Sequence, residues 1–130
     1  MAVGYTMTRD IGRRIVKIAF ASRCDADEVA RAVTDARSAA SNGVLGIVYD
    51  MRSCEVGGIT VTDLFWLPRR HPSLTAESVR RLRIAAIYPE HMEELARFWE
   101  TTARNVGIKA RAFRDEDTAV AWIADSGALA

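Results

Sequence analysis

The chain has 130 residues, 49% of them hydrophobic and 27% charged, and a formal net charge of +1. That length and apolar content suit one packed domain and argue against a disordered segment. The balanced charge gives no footing for a global nucleic-acid or acidic-partner function.

In chain order, Val3–Thr8 reads as a short strand and Asp10-Ile11-Gly12-Arg13 as a turn. Arg14–Ala21 is a second strand, with Ile15, Lys17 and Ala19 facing one way and Val16, Ile18 and Phe20 the other. The two predict an antiparallel hairpin that leads into the sheet. Asp25-Ala26-Asp27-Glu28 starts a helix: Asp25 can cap the amide of Glu28, and Glu28 can reach back. Val29, Val33, Ala36 and Ala40 recur at helical spacing, and Asn42-Gly43 supplies the stop.

Val44–Asp50 is apolar almost without a break and ends in an acid. A short run that is apolar on both faces belongs inside a parallel sheet, with helices above and below. The loop that follows holds Arg52, Ser53, Cys54 and Gly57-Gly58. Thr60 then caps a helix, with Asp63 three residues on, and Leu64-Phe65-Trp66-Leu67 follows. Pro68 ends or kinks that helix, and Arg69-Arg70-His71 is irregular and basic.

Arg83–Tyr88 is the next strand, buried on both faces and ended by Pro89. Glu90–Val106 is the longest helix, with Met92, Leu95, Phe98 or Trp99, Ala103 and Val106 as its apolar stripe and Gly107 as its stop. Lys109–Phe113 alternates charged and apolar, as an edge strand does. Asp115 caps a final helix with Ala119, Val120, Trp122 and Ile123 inward, and the tail from Ser126 is expected to fray. The expected fold is α/β: one domain over residues 1–125 with a mostly parallel, mixed sheet of about five strands, an N-terminal antiparallel hairpin and about four main helices.

Chemistry is expected where the strands end at their carboxyl side. That edge collects Asp50, Arg52, Ser53, Gly57, Gly58, Thr60, Tyr88, Glu90, Arg114 and Asp115. Gly57-Gly58 ahead of a helix start could offer amides to an anion, so Asp50, Arg52, Ser53, Gly57, Gly58 and Thr60 are the ligand candidates. A helix buried on one face cannot hide all of Leu64, Phe65, Trp66 and Leu67. With Arg69 and Arg70 they form the candidate interaction surface, for a protein partner, a second copy or an amphipathic ligand. The Arg80-Arg81-Arg83 cluster reads as solvated surface.

The catalytic candidates, His71, His91 and Cys54, come with no nucleophile elbow, and no CxxC, HxxxH or HExxH spacing occurs. The chain is therefore expected to be non-catalytic, with no metal and no cofactor. Cys24 and Cys54 are expected as reduced thiols. The N-terminal residues lack a secretory pattern, and no apolar run reaches the ~20 residues of a membrane span, so a cytoplasmic protein is expected.

Four segments together resemble the SpoIIAA-like, or STAS-like, family of small bacterial domains. They are Ile47-Val48-Tyr49-Asp50-Met51-Arg52; Arg83-Ile84-Ala85-Ala86-Ile87-Tyr88-Pro89; the helix with Ala96-Arg97-Phe98 and Asn105-Val106-Gly107; and Arg111-Ala112-Phe113-Arg114-Asp115 running to Ala119-Val120-Ala121-Trp122-Ile123. The resemblance implies a β-α superhelix and a regulatory or protein-interaction module whose contact surface is the loop and helix after the central strand. Its lipid-carrier relatives imply an alternative, carriage of a lipid or nucleotide. In anti-sigma-factor antagonists a phosphorylated Ser stands in an Asp-Ser-Ser-Gly context after the central strand. That motif is absent here; Thr60 is nearest in position and Ser53 lies earlier, which makes them the phospho-switch candidates.

Overall fold

The structure, a computed structural model, describes residues 4–21, 25–40, 43–54, 63 and 81–128. The elements are β1 (Tyr5–Asp10), β2 (Ile15–Phe20), α1 (Ala26–Ala39), β3 (Gly46–Asp50), β4 (Arg83–Ile87), a 3₁₀ turn (Glu90–Met92), α2 (Glu93–Asn105), β5 (Lys109–Phe113) and α3 (Glu116–Ala128). One five-stranded sheet runs in the order β1-β2-β3-β4-β5. β1 pairs antiparallel with β2, and the other neighbours are parallel.

The α/β class, the hairpin and the mixed five-stranded sheet are as the residue pattern predicts. Three α-helices lie among the described residues where about four were expected. The fourth was placed after Thr60, a segment outside the described residues apart from Asp63. The central strand is shorter than its apolar run: Val44 and Leu45 precede the ladder, and β3 begins at Gly46. The long helix starts as a 3₁₀ turn after Pro89, because Pro89 has no amide to give and its extended backbone (φ −78°, ψ 158°) holds the entry.

Both faces of the sheet are covered. Val16, Ile18, Phe20, Ile47, Tyr49 and Ile84 meet α1 through Val29, Ala32 and Ala36, and meet the α2 side through Met92 and Ala96. On the other face Ile15, Val48, Ala85 and Ile87 meet Ala119 and Ile123 of α3. Ile47 and Val48, adjacent in β3, are both 0% exposed and look into opposite cores. Each such side chain contributes about 1.5–3 kcal/mol by leaving water. The small residues set the spacing. Ala32 and Ala36 let α1 lie close to the sheet over β1 and β2, and Gly46 lets Ile123 and the Arg83 carbonyl come in where a Cβ would stand.

The helix starts are fixed locally. Asp25 Oδ1 accepts from the Glu28 amide at 2.9 Å, and Asp115 Oδ1 accepts from the Thr118 amide at 2.8 Å. Each satisfies an amide that the first turn leaves without a partner. Glu28 does not complete a capping box: its side chain is buried instead, with Oε2 lacking a hydrogen-bond partner.

Candidate functional site

The hairpin turn, the first half of β2, the carboxyl end of β3 and the loop after it bring an ion network together around Glu116, in the first turn of α3. Lys17 Nζ donates to Glu116 Oε1 at 2.5 Å and lies 3.8 Å from Asp50 Oδ2. Arg52 Nη2 is 2.7 Å from Asp50 Oδ2 and 3.5 Å from Glu116 Oε1. Arg13, from the hairpin turn, is 3.5 Å from Glu116 Oε2 and 2.6 Å from Asp10. Asp50 also accepts from the Arg52 amide at 3.1 Å and from Arg52 Nε at 2.9 Å, so the loop after β3 is folded back onto its own strand end. Three cations thus meet three carboxylates.

Local charge shows in the titration of these groups. Burial pushes the Asp50 carboxyl up, but hydrogen bonds from Arg52 and the charges of Arg52 and Lys17 outweigh it and hold Asp50 below the usual carboxylate range. The hydrogen bond from Lys17 does the same for Glu116, aided by the Lys17 and Arg13 charges. Cys54 is buried, with Sγ 3.5 Å from the Ala21 carbonyl oxygen, and burial pushes its thiol up to about 11. A thiol so placed is protonated at neutral pH and is a poor nucleophile.

Beside this network an apolar cleft lies between α1 and α2, over the carboxyl halves of β3 and β4. Phe20, Tyr49, Met51, Tyr88, Met92 and Trp99 are among its lining, and its volume is about 70 Å³. Tyr49 sits on its floor, and burial pushes that phenol far above its ordinary range. At the rim, Arg97 and Arg114 each place the guanidinium carbon 5.7 Å from the Tyr88 ring centroid, and Arg97 Nη2 donates to the Tyr88 hydroxyl at 3.1 Å.

Of the residues singled out from sequence, Asp50 and Arg52 are brought together as an ion pair, and Ser53 is exposed in the turn beside them. Gly57, Gly58, Thr60, Leu64, Phe65, Trp66, Arg69, Arg70, His71 and Cys24 lie outside the described residues. His91 is exposed in the 3₁₀ turn. Lys17 and Glu116, the centre of the network, were not singled out. The available signal was a lysine inside the otherwise apolar strand Ile15–Phe20, which needs a buried or covered acid to meet it.

Among the described residues no group of three His, Cys, Asp or Glu could hold a metal ion, and no helix is long and apolar enough to cross a membrane. Compared with family models, curated proteins and solved structures, the chain finds no match.

Proposed function

We propose that this chain is a non-catalytic, STAS-like interaction module that binds another polypeptide through the surface at the carboxyl end of its central strand. The observation that carries the reading is how the groups around that strand end are used. Asp50, Arg52, Lys17 and Glu116 neutralise one another, and Cys54 is buried and protonated. What remains there is the apolar cleft, where Phe20, Tyr49, Tyr88 and Met92 are buried and Met51 and Trp99 are half-buried at its edge, residue types that interface cores favour. The Leu64-Phe65-Trp66-Leu67 run follows that strand within 20 residues of Asp50 and supplies further apolar anchors from sequence.

Carriage of a lipid or nucleotide is the less favoured reading, because the cleft among the described residues is small. The cleft holds about 70 Å³, against several hundred Å³ for sites that enclose drug-sized ligands. The test compares the wild-type chain with Phe65→Ala, Trp66→Ala and Trp99→Ala. Sedimentation reads self-association, and copurification from cells that make the protein natively reads a partner. A specific association that all three variants weaken is expected; association unchanged in all three refutes the proposed surface. Native mass spectrometry of the same preparation separates the readings, because a retained small molecule of constant mass would favour carriage.

A further inference from the structure

At the opposite end of the sheet, where β4 and β5 begin, an open pocket of about 380 Å³ is lined by Arg83, Arg104, Lys109 and Trp122 and by the Gly107–Ala110 segment. Arg83 and Lys109 are register partners on adjacent parallel strands. Arg104 reaches in from the last turn of α2. No carboxylate is among the described residues of the lining.

The way these cations are held distinguishes the pocket from the network at the carboxyl end. Arg83 donates from Nη1 to the Trp122 carbonyl oxygen at 2.5 Å, with its guanidinium carbon 5.1 Å from the Trp122 ring centroid. Arg104 donates from Nε to the Ala110 carbonyl oxygen at 2.8 Å. Both guanidinium groups are therefore oriented by neutral carbonyl acceptors. Among the described residues every ion pair falls on other side chains, so none of Arg83, Arg104 and Lys109 has a carboxylate partner. The carboxyl end of α2 supplies only about half a negative charge here. Among the described residues about two and a half positive charges stay uncompensated in a concave site, in a chain whose total is +1.

We infer that this pocket binds a small molecule carrying a dianionic oxyanion, with a phosphate monoester as the best match. Two oriented guanidiniums can each meet a phosphate through paired N–H donors, and Lys109 adds a mobile point charge at the entrance. The indole of Trp122 is already engaged by Arg83 and, at 5.7 Å between centroids, by Phe113. With the ring so engaged, recognition is assigned to the phosphate and not to an aromatic base. The volume lies in the range of small-ligand sites. This site is separate from the interaction surface proposed above and stands whether or not that surface is used.

The experiment is amide-resolved NMR titration of the full chain with inorganic phosphate and with glycerol 3-phosphate, against sodium chloride of equal ionic strength. Saturable shifts clustered at the amides of Gly107, Ile108, Lys109 and Ala110 are expected. Tighter binding of glycerol 3-phosphate would identify the organic monoester as the ligand type, and equal binding would identify the free anion. Lys109→Gln and Arg104→Gln alter side chains that are exposed, so the fold should persist. Each should weaken binding about tenfold, as loss of one charge-assisted contact does. Shifts that chloride reproduces, that fail to saturate, or that survive both substitutions at full strength overturn the inference.

Discussion

Replacing Gly46 by alanine should destabilise the fold more than an ordinary interior exchange, for a reason visible at one point of the sheet. A Cβ at Gly46 would stand 2.3 Å from the Arg83 carbonyl oxygen, 2.7 Å from Ile123 Cγ2 and 3.0 Å from Ile123 Cδ1. Non-bonded heavy atoms need about 3.5 Å. The shortfall toward Arg83 exceeds an ångström, and it is a backbone atom that must move. Gly46 and Arg83 are register partners, so relief requires prying β4 from β3 at a spacing that hydrogen bonds fix near 4.8 Å. Overpacking usually costs about 1–3 kcal/mol, and a backbone obstacle places this one at about 3 kcal/mol or above. Gly43 is the control. Its φ of +93° penalises any side chain, but nothing lies within 4 Å of its Cβ position, so Gly43→Ala should cost only about 1 kcal/mol. Urea unfolding followed by far-UV circular dichroism measures both. Combining Gly46→Ala with Ile123→Val should not rescue stability, since the Arg83 carbonyl remains. A Gly46→Ala chain as stable as Gly43→Ala would refute the close approach of β3, β4 and α3.

Three further outcomes follow from the same geometry. Asp50 and Glu116 titrate below their ordinary values in the folded chain, so the unfolded chain binds protons first as pH falls. Their stabilisation is full above the unfolded carboxylate values of about 4 and is lost as pH drops through the folded ones. Lys17→Met, which removes the cation between them, should move the acid-unfolding midpoint to higher pH in a circular dichroism titration; an unmoved midpoint would show the network to be idle. Cys54, buried and with its thiol at about 11, should react with a disulfide reagent at pH 8 only after denaturant is added, as read in a Cys24→Ser background; prompt labelling of the native chain would contradict its placement. Glu100 Oε2 accepts from the Ala112 amide at 2.7 Å and so occupies an outward-facing group of edge strand β5. Glu100→Ala should lose about 1 kcal/mol and gain concentration-dependent light scattering through the bared edge.

The elements that sequence reading located well are those whose signal is local. Ile15–Phe20 alternates because its two faces meet two different cores. Asp25 and Asp115 sit where a first turn needs an acceptor, and both accept as expected. The apolar run reaches two residues further back than the strand: Leu45 donates its amide to the Arg14 carbonyl at 2.7 Å and accepts from the Arg83 amide at 3.2 Å at the very start of the ladder, and Val44 and Leu45 are half-buried where the strand proper is buried. The polar sites were legible only in fragments. Asp50 and Arg52 are two residues apart and could be paired from sequence. Lys17 and Glu116 are separated by 99 positions, and only the parallel register of β2 with β3, together with the path of α3, brings them into contact. Arg83 looked like part of a solvated arginine run, because nothing local announces that Lys109 stands beside it or that Trp122 pins it.

Strand order bears on which kind of binding this fold can support. Open parallel sheets hold ligands where the order reverses and neighbouring connections part to opposite faces, leaving a crevice. Here the order runs from β1 to β5 without reversal, and α1 and α2 share one face. The cleft between those two helices is accordingly narrow and apolar, a seam of the packing with room for a side chain and little more. With no reversal of strand order among the described residues, the ends of the sheet are where binding is expected. The carboxyl end presents the edge of an apolar seam, with Met51 and Trp99 half-buried, beside a self-neutralised ion network. The amino end presents oriented, unneutralised cations around an open pocket. A polypeptide partner at the first and an anion at the second are the chemistries these two surfaces complement, and their separation at opposite ends of the strands allows each to be removed by substitution without disturbing the other.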